Sequence, residues 1–155
     1  MYLLGMGIAE DIKQERFTNE YSKAVINVIY TYSWLYQKHL EVFKKHGLTT
    51  PQFNILRILR GQHPKPSTVN LLIDRMLDKS SNASRIVDRL EQKGLVTRKQ
   101  CENDRRAVDV FISDQGLRLL VVLDEEMAVF EKETRNLSEE EATTMNLLLD
   151  KMRHS

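Results

Sequence analysis

The sequence predicts a mainly α-helical fold with one small β-hairpin set inside the chain. Three observations carry that reading. Both ends of the chain show apolar residues at helical spacing, and several short capped helices fill the space between them. A single stretch, Leu95 to Ser113, changes to the alternation of strands around a polar turn.

The N-terminal segment reads as one helix from about Ile8 to His46. Tyr21, Val25, Val28, Tyr32, Leu35, His39 and Val42 alternate spacings of four and three, a heptad seam widened by Ala24, Ile29, Tyr36 and Phe43. A helix of that length exceeds the globular norm, so part of it should pack on something outside its own domain. Lys44-Lys45-His46-Gly47 ends it, with cations at the carbonyl end and a glycine at the cap.

In the next element Thr49 and Gln52 form a capping box, Leu48 and Phe53 the matching hydrophobic staple, and Pro51 sits in the first turn. It should stop at Gly61, before the proline-containing loop Gly61-Gln62-His63-Pro64-Lys65-Pro66. A second short helix is expected with Ser67 as cap and Val69, Leu72, Ile73 and Met76 inward. A third follows, with Ala83, Ile86, Val87 and Leu90 as its apolar stripe and Gly94 as its end. Leu95 to Gln100 and Ala107 to Ser113 read as the paired strands, joined by the turn Cys101 to Arg106. Ser113 then caps a helix that buries Leu120, Val121, Met127 and Phe130 and runs to about Arg135. Ser138 with Glu141 caps the last, whose apolar positions are Ala142, Met145, Leu148, Leu149 and Met152.

The 155 residues suit one domain's core, and a 41% hydrophobic, 29% charged composition fits a soluble globular chain. One cysteine cannot form an internal disulfide, no basic leader opens the chain, and no apolar run reaches membrane-span length, so the cytoplasm is the expected compartment and no membrane partner is expected. The net charge of +1 hides an uneven distribution. Residues 57–113 carry twelve bases against seven acids, whereas residues 114–155 carry five bases against ten acids. A basic middle beside an acidic end suits contact with a polyanion by the middle alone.

The third short helix has the side chains for such a contact. Ser80, Ser81, Asn82, Ser84, Arg85 and Arg89 are expected on its outer side. Small side chains let a backbone approach a groove, hydroxyls and amides bond base edges or phosphate, and arginine matches guanine or phosphate with its fork. Caps are the commonest use of Ser and Asn at a helix start, and one of these residues is expected to be the cap. At the hairpin tip stand Asp104, Arg105 and Arg106. A guanidinium is favoured in the narrow minor groove, and a neighbouring carboxylate can hold its fork in one orientation. A solvated surface ion pair is the plainer reading of that tip taken alone.

These residues resemble the MarR family of winged-helix transcription regulators. The likeness covers nearly the whole chain and is carried by LTTPQFNILRIL, SSNASRIVDRLEQKGLVTR and NDRRAVDVFISDQG, the last holding a D-x-R wing. It implies a winged helix-turn-helix lobe at 47–113, flanked by dimerisation segments at 1–46 and 114–155, and a homodimer that reads a pseudo-palindromic stretch of double-stranded DNA, acting as a repressor. Carried over, Ser81, Asn82, Ser84 and Arg85 would touch bases and phosphates. Arg106 would enter the minor groove with Asp104 as its partner, and Arg105 would meet phosphate. This chain departs from the pattern at Ile73, where a small residue is usual, and at Ser113, where Thr is. Lys79-Ser80-Ser81-Asn82 is one residue longer than the commonest form, which leaves the recognition register open by one.

Many members of that family are switched by a small phenolic or lipophilic effector, and some by cysteine oxidation or zinc. Cys101, near Arg98 and Lys99, reads as incidental, because the family's peroxide sensors carry their cysteine near the first helix. His39, His46, His63 and His154 lack ligand spacing, so no metal or cofactor is expected. By analogy, Tyr32, Trp34 and Tyr36 could line an effector pocket. The main rival is a winged-helix module that binds protein rather than DNA. An enzyme is not expected, since no nucleophile-base pair or phosphate-cradling loop is present.

Overall fold

The computed structural model describes residues 7–101 and 108–154. The expected single N-terminal helix is two: α1 (Ile8–Asp11) and α2 (Glu20–Lys45). Lys13, at a positive φ of 53°, follows the end of α1, and α2 is started by Asn19. The Asn19 backbone is extended, its side chain accepts a bond from the Ser22 N–H at 2.8 Å, and its own N–H donates to Ser22 Oγ at 3.3 Å. The apolar seam starts only at Tyr21, just beyond this cap, so the expected extension back to Ile8 has no seam behind it.

The helix α3 (Thr50–Gln62) opens as expected, with Thr49 and Gln52 bonded reciprocally and the staple pair Leu48 and Phe53 buried. Phe53 stacks on Phe43 of α2 with ring centroids 4.3 Å apart, which fixes the lobe to the end of the long helix. A two-residue strand follows, β1 (Ser67–Thr68), and then α4 (Val69–Arg75). Thr68, rather than Ser67, caps α4 by accepting from the Leu71 N–H at 3.2 Å. Ser67 is instead buried in the sheet opposite Val110. Ile73, expected inward, is exposed on α4, while Leu72 and Met76 are buried.

After α5 (Ala83–Gln92) come β2 (Val96–Gln100) and β3 (Val108–Ile112), paired antiparallel from Val96 opposite Ile112 to Gln100 opposite Val108. The sheet order is β1-β3-β2, so the expected two-stranded hairpin has a third, short strand on its far edge. Ser113 caps α6 (Asp114–Thr134) through the Gly116 N–H and also donates to the Gly94 carbonyl at 2.7 Å. The Ser138–Glu141 box starts α7 (Glu139–Arg153).

The core lies in the middle of the chain: Ile55, Leu56, Leu59, Leu72, Val87, Leu90, Val96, Val110, Leu120 and Leu123 are all buried there. The ends of the chain are different. The helix α7 has no buried residue, and Leu148 is 62% exposed, so the stripe expected to be buried is uncovered in the single chain. Tyr21, Tyr32 and Val121 are similarly open.

Polar ties join α6 to the lobe. Arg60 of α3 forks onto Asp124 at 2.5 and 3.1 Å, and His46 bonds Glu126 at 2.7 Å with Lys45 at 3.5 Å. The His46 bond is the main reason the Glu126 carboxyl is held below its usual range. No helix among the described residues is long and apolar enough to cross a membrane.

Candidate nucleic-acid interface

The site starts where α4 ends. Met76 turns extended, and the Leu77 N–H donates to Asn54 Oδ1 at 3.0 Å, which anchors the connector to α3. Lys79 reaches back to the Ile73 and Asp74 carbonyls and so satisfies the last turn of α4. The carboxylate of Asp78 then gathers three donors: the Ser80 N–H at 2.9 Å, the Ser80 hydroxyl at 2.6 Å and the Ser81 hydroxyl at 2.7 Å. Those bonds, Ser80 first, hold the Asp78 carboxyl below its ordinary range.

Ser80 and Ser81 therefore stand in a turn ahead of α5, not on its outer side as the sequence suggested. Their hydroxyls are already donating to Asp78. Asn82 is the cap of α5, accepting from the Arg85 N–H at 3.0 Å. Ala83 is the first helical residue, which places Ser84 and Arg85 at the second and third positions.

The helix is held by its opposite side. Ala83, Val87 and Leu90 are buried, while Asn82, Ser84, Arg85 and Arg89 are exposed. Neither arginine engages another described side chain, and the first N–H groups of α5 face the same end. A helix terminus with uncommitted guanidinium groups can meet phosphate oxygens and base edges.

Much of the remaining positive charge in the middle of the chain serves the fold. Lys93 donates to the Gly47 carbonyl, Arg60 holds Asp124, and Arg57 and Lys99 lie over the rings of Phe53 and Phe111. Arg98 on β2 binds Asp88 and Glu91 of α5. Sequence reasoning counted these cations as one basic region, because their partners lie on other elements. Asp104, Arg105 and Arg106 fall outside the described residues. Cys101, at the edge of them, is a half-buried free thiol.

A cavity of about 540 Å³ lies between α2 and the lobe, walled by Tyr32, Tyr36 and His39 on one side and by Thr50, Met76 and Leu77 on the other. Trp34 is not part of its lining. The Thr50 hydroxyl is buried with no hydrogen-bond partner among the described residues. His39 packs edge-on against Phe130 at 5.0 Å, and burial holds its imidazole below the ordinary pKa. Since the unfolded chain takes up that proton first, stability should fall as pH drops through and below the ordinary imidazole range, about 6.5. Thermal melts across that interval should show a steeper loss in the parent than in His39→Gln; equal slopes would remove His39 from the account.

A profile of the MarR family matches residues 48–108, the span from Leu48, just ahead of the α3 cap, to the start of β3. The transcriptional regulator PecS of Dickeya dadantii is 31% identical over 131 residues, covering 83% of this chain and 79% of that protein. The chain belongs to the MarR family. It is a DNA-binding transcription regulator with that family's winged helix-turn-helix fold. A crystallised MarR transcription factor from Planctomyces limnophilus is 31% identical, with a TM-score of 0.65 over 90% of this chain and all (100%) of that one. An organohalide-sensing regulator solved with 2,4-dichlorophenol bound shares the fold at a TM-score of 0.77, over 99% of this chain and 87% of that one, with 19% identity.

Proposed function

We propose that this MarR-family chain acts as a homodimer that reads a pseudo-palindromic DNA site and represses the genes beside it. The uncommitted face of α5 carries the reading. Ser84, Arg85 and Arg89 point away from a core that fixes the helix from behind, and Asn82 presents the helix start. In the complex α5 enters the major groove, while Ser80 and Ser81 contact the backbone only by giving up Asp78. From the tip of the hairpin Arg106 enters the minor groove, oriented by Asp104, and Arg105 meets phosphate.

Dimerisation falls to residues 1–46 and 114–155, and DNA binding to 47–113. The uncovered apolar surfaces support this division: α7 buries nothing within its own chain, and Tyr21, Val25 and Val28 are exposed along α2. A second copy of the chain offers the same surfaces and can bury them symmetrically. The two copies of α5 would then reach successive major grooves roughly 34 Å apart. The cavity beside His39 is the effector site in this reading. Its aromatic and apolar lining suits a small aromatic molecule, the kind bound in the organohalide-sensing relative.

Selection of bound sequences from a random duplex pool tests the proposal in one step. Two inverted half-sites about one helical turn apart are expected. Recovery of no sequence above background at low salt would leave the protein-binding module as the better reading. Arg106→Ala should weaken binding to the selected site and lower the salt slope by about one phosphate equivalent or less. Unchanged affinity across salt would take the wing out of the interface.

A further inference from the structure

On the recognition helix, Ser84, Asp88 and Glu91 share one strip at spacings of four and three residues. Two acids in line with a DNA-reading serine are unexpected, because carboxylates repel phosphate. The structure shows what occupies them. Arg98, in the middle of β2, donates its Nε to Glu91 Oε2 at 2.8 Å and one terminal nitrogen to Asp88 Oδ1 at 2.5 Å, and its other terminal nitrogen also bonds Glu91. The three side chains are only partly exposed. The Arg98 bond is also the first cause that keeps the Glu91 carboxyl below its usual range.

We propose that Arg98 is a positioning residue for DNA reading, a clamp that sets the angle between the recognition helix and the wing. The geometry supports this in two ways. Arg98 stands opposite Val110, and β2 and β3 are paired along their whole length, so a tie on Arg98 moves both strands as one plate. The partners lie one and two turns beyond Ser84, so the tie joins β2 to the same side of α5 that carries Ser84, while Val87 and Leu90 hold the helix from the core side. A planar fork can serve two carboxylates at once, which a lysine ammonium on its flexible stem cannot do in one fixed orientation. Isolated, such surface ion pairs add little to stability, so the clamp acts on geometry more than on folding.

The proposal rests on the DNA-binding reading and is tested with the selected duplex beside a random duplex. Arg98→Gln, Arg98→Lys and Glu91→Ala should each lower the ratio of specific to random affinity, roughly tenfold, with nearly unchanged melting temperatures. In Glu91→Ala the random-duplex affinity should stay level or rise, since a negative charge near phosphate has gone. Three results would overturn the clamp: ratios equal to the parent's, a lysine variant that matches the parent, or an Arg98→Gln loss that is equal on both duplexes, which marks a plain phosphate contact. A parent that prefers no duplex sinks the DNA-binding reading instead, so the two failures are distinct.

Discussion

Gly116→Ala should destabilise the fold by about 1–3 kcal/mol, although alanine is the better helix former. Gly116 lies in the first turn of α6, where a Cβ would stand 2.4 Å from the Leu95 carbonyl oxygen and 2.9 Å from Ile112 Cγ1. The first contact is with backbone, so a side-chain rotation cannot relieve it. Either α6 moves away from the start of β2 or the chain at Leu95 does. That carbonyl also accepts the Ser113 N–H at 3.0 Å, so the cap of α6 would be disturbed at the same time. Gly61→Ala is the control, because nothing lies within 4 Å of a Cβ there and the residue is inside α3. It should be stabilising by about 0.5–1 kcal/mol. Denaturant midpoints for the two variants should move in opposite directions; a Gly116→Ala midpoint at or above the parent's would refute the close-packing argument.

Arg85→Ala should cost about 1–3 kcal/mol of binding to the selected duplex and relax preference at one position in each half-site. The residue is exposed at the third helical position of α5, bonded through its N–H to the Asn82 cap, with its guanidinium uncommitted. A change there leaves the core face of the helix intact, so folding should be unaffected. The position-resolved profile decides the role: loss of preference at one base pair marks base readout, whereas an even loss across all sequences reassigns Arg85 to phosphate.

How far the sequence speaks depends on the range of the interaction. Caps are local, and Thr49 with Gln52, Ser113, and Ser138 with Glu141 all behave as their spacing indicates. The family pattern was legible as well, since α3, α5 and the hairpin carry it in order. The long helix was misjudged ahead of Asn19 because the apolar seam begins only at Tyr21, and the polar cap that starts it was not read as a helix start. The strand β1 could not be seen at all: two residues carry no periodicity, and Ser67 is defined by Val110, far along the chain.

The candidate site divides in the same way. Ser84 and Arg85 were legible as surface positions of a helix. That Ser80 and Ser81 are donors to Asp78 was not, although Asp-x-Ser-Ser is a sequence in which an acid can close a turn on itself. Arg98 looked like one more base in a basic region until its two carboxylates came from another element.

The connector Met76 to Asp78 has two roles at once. It walls the cavity beside His39, and through Asp78 it holds the turn from which α5 departs. How tightly that space is filled therefore bears on how much the lead-in to the reading helix can wander. If the cavity takes an effector, as proposed, a guest of the right girth would act on the threshold of α5 without coming near the duplex.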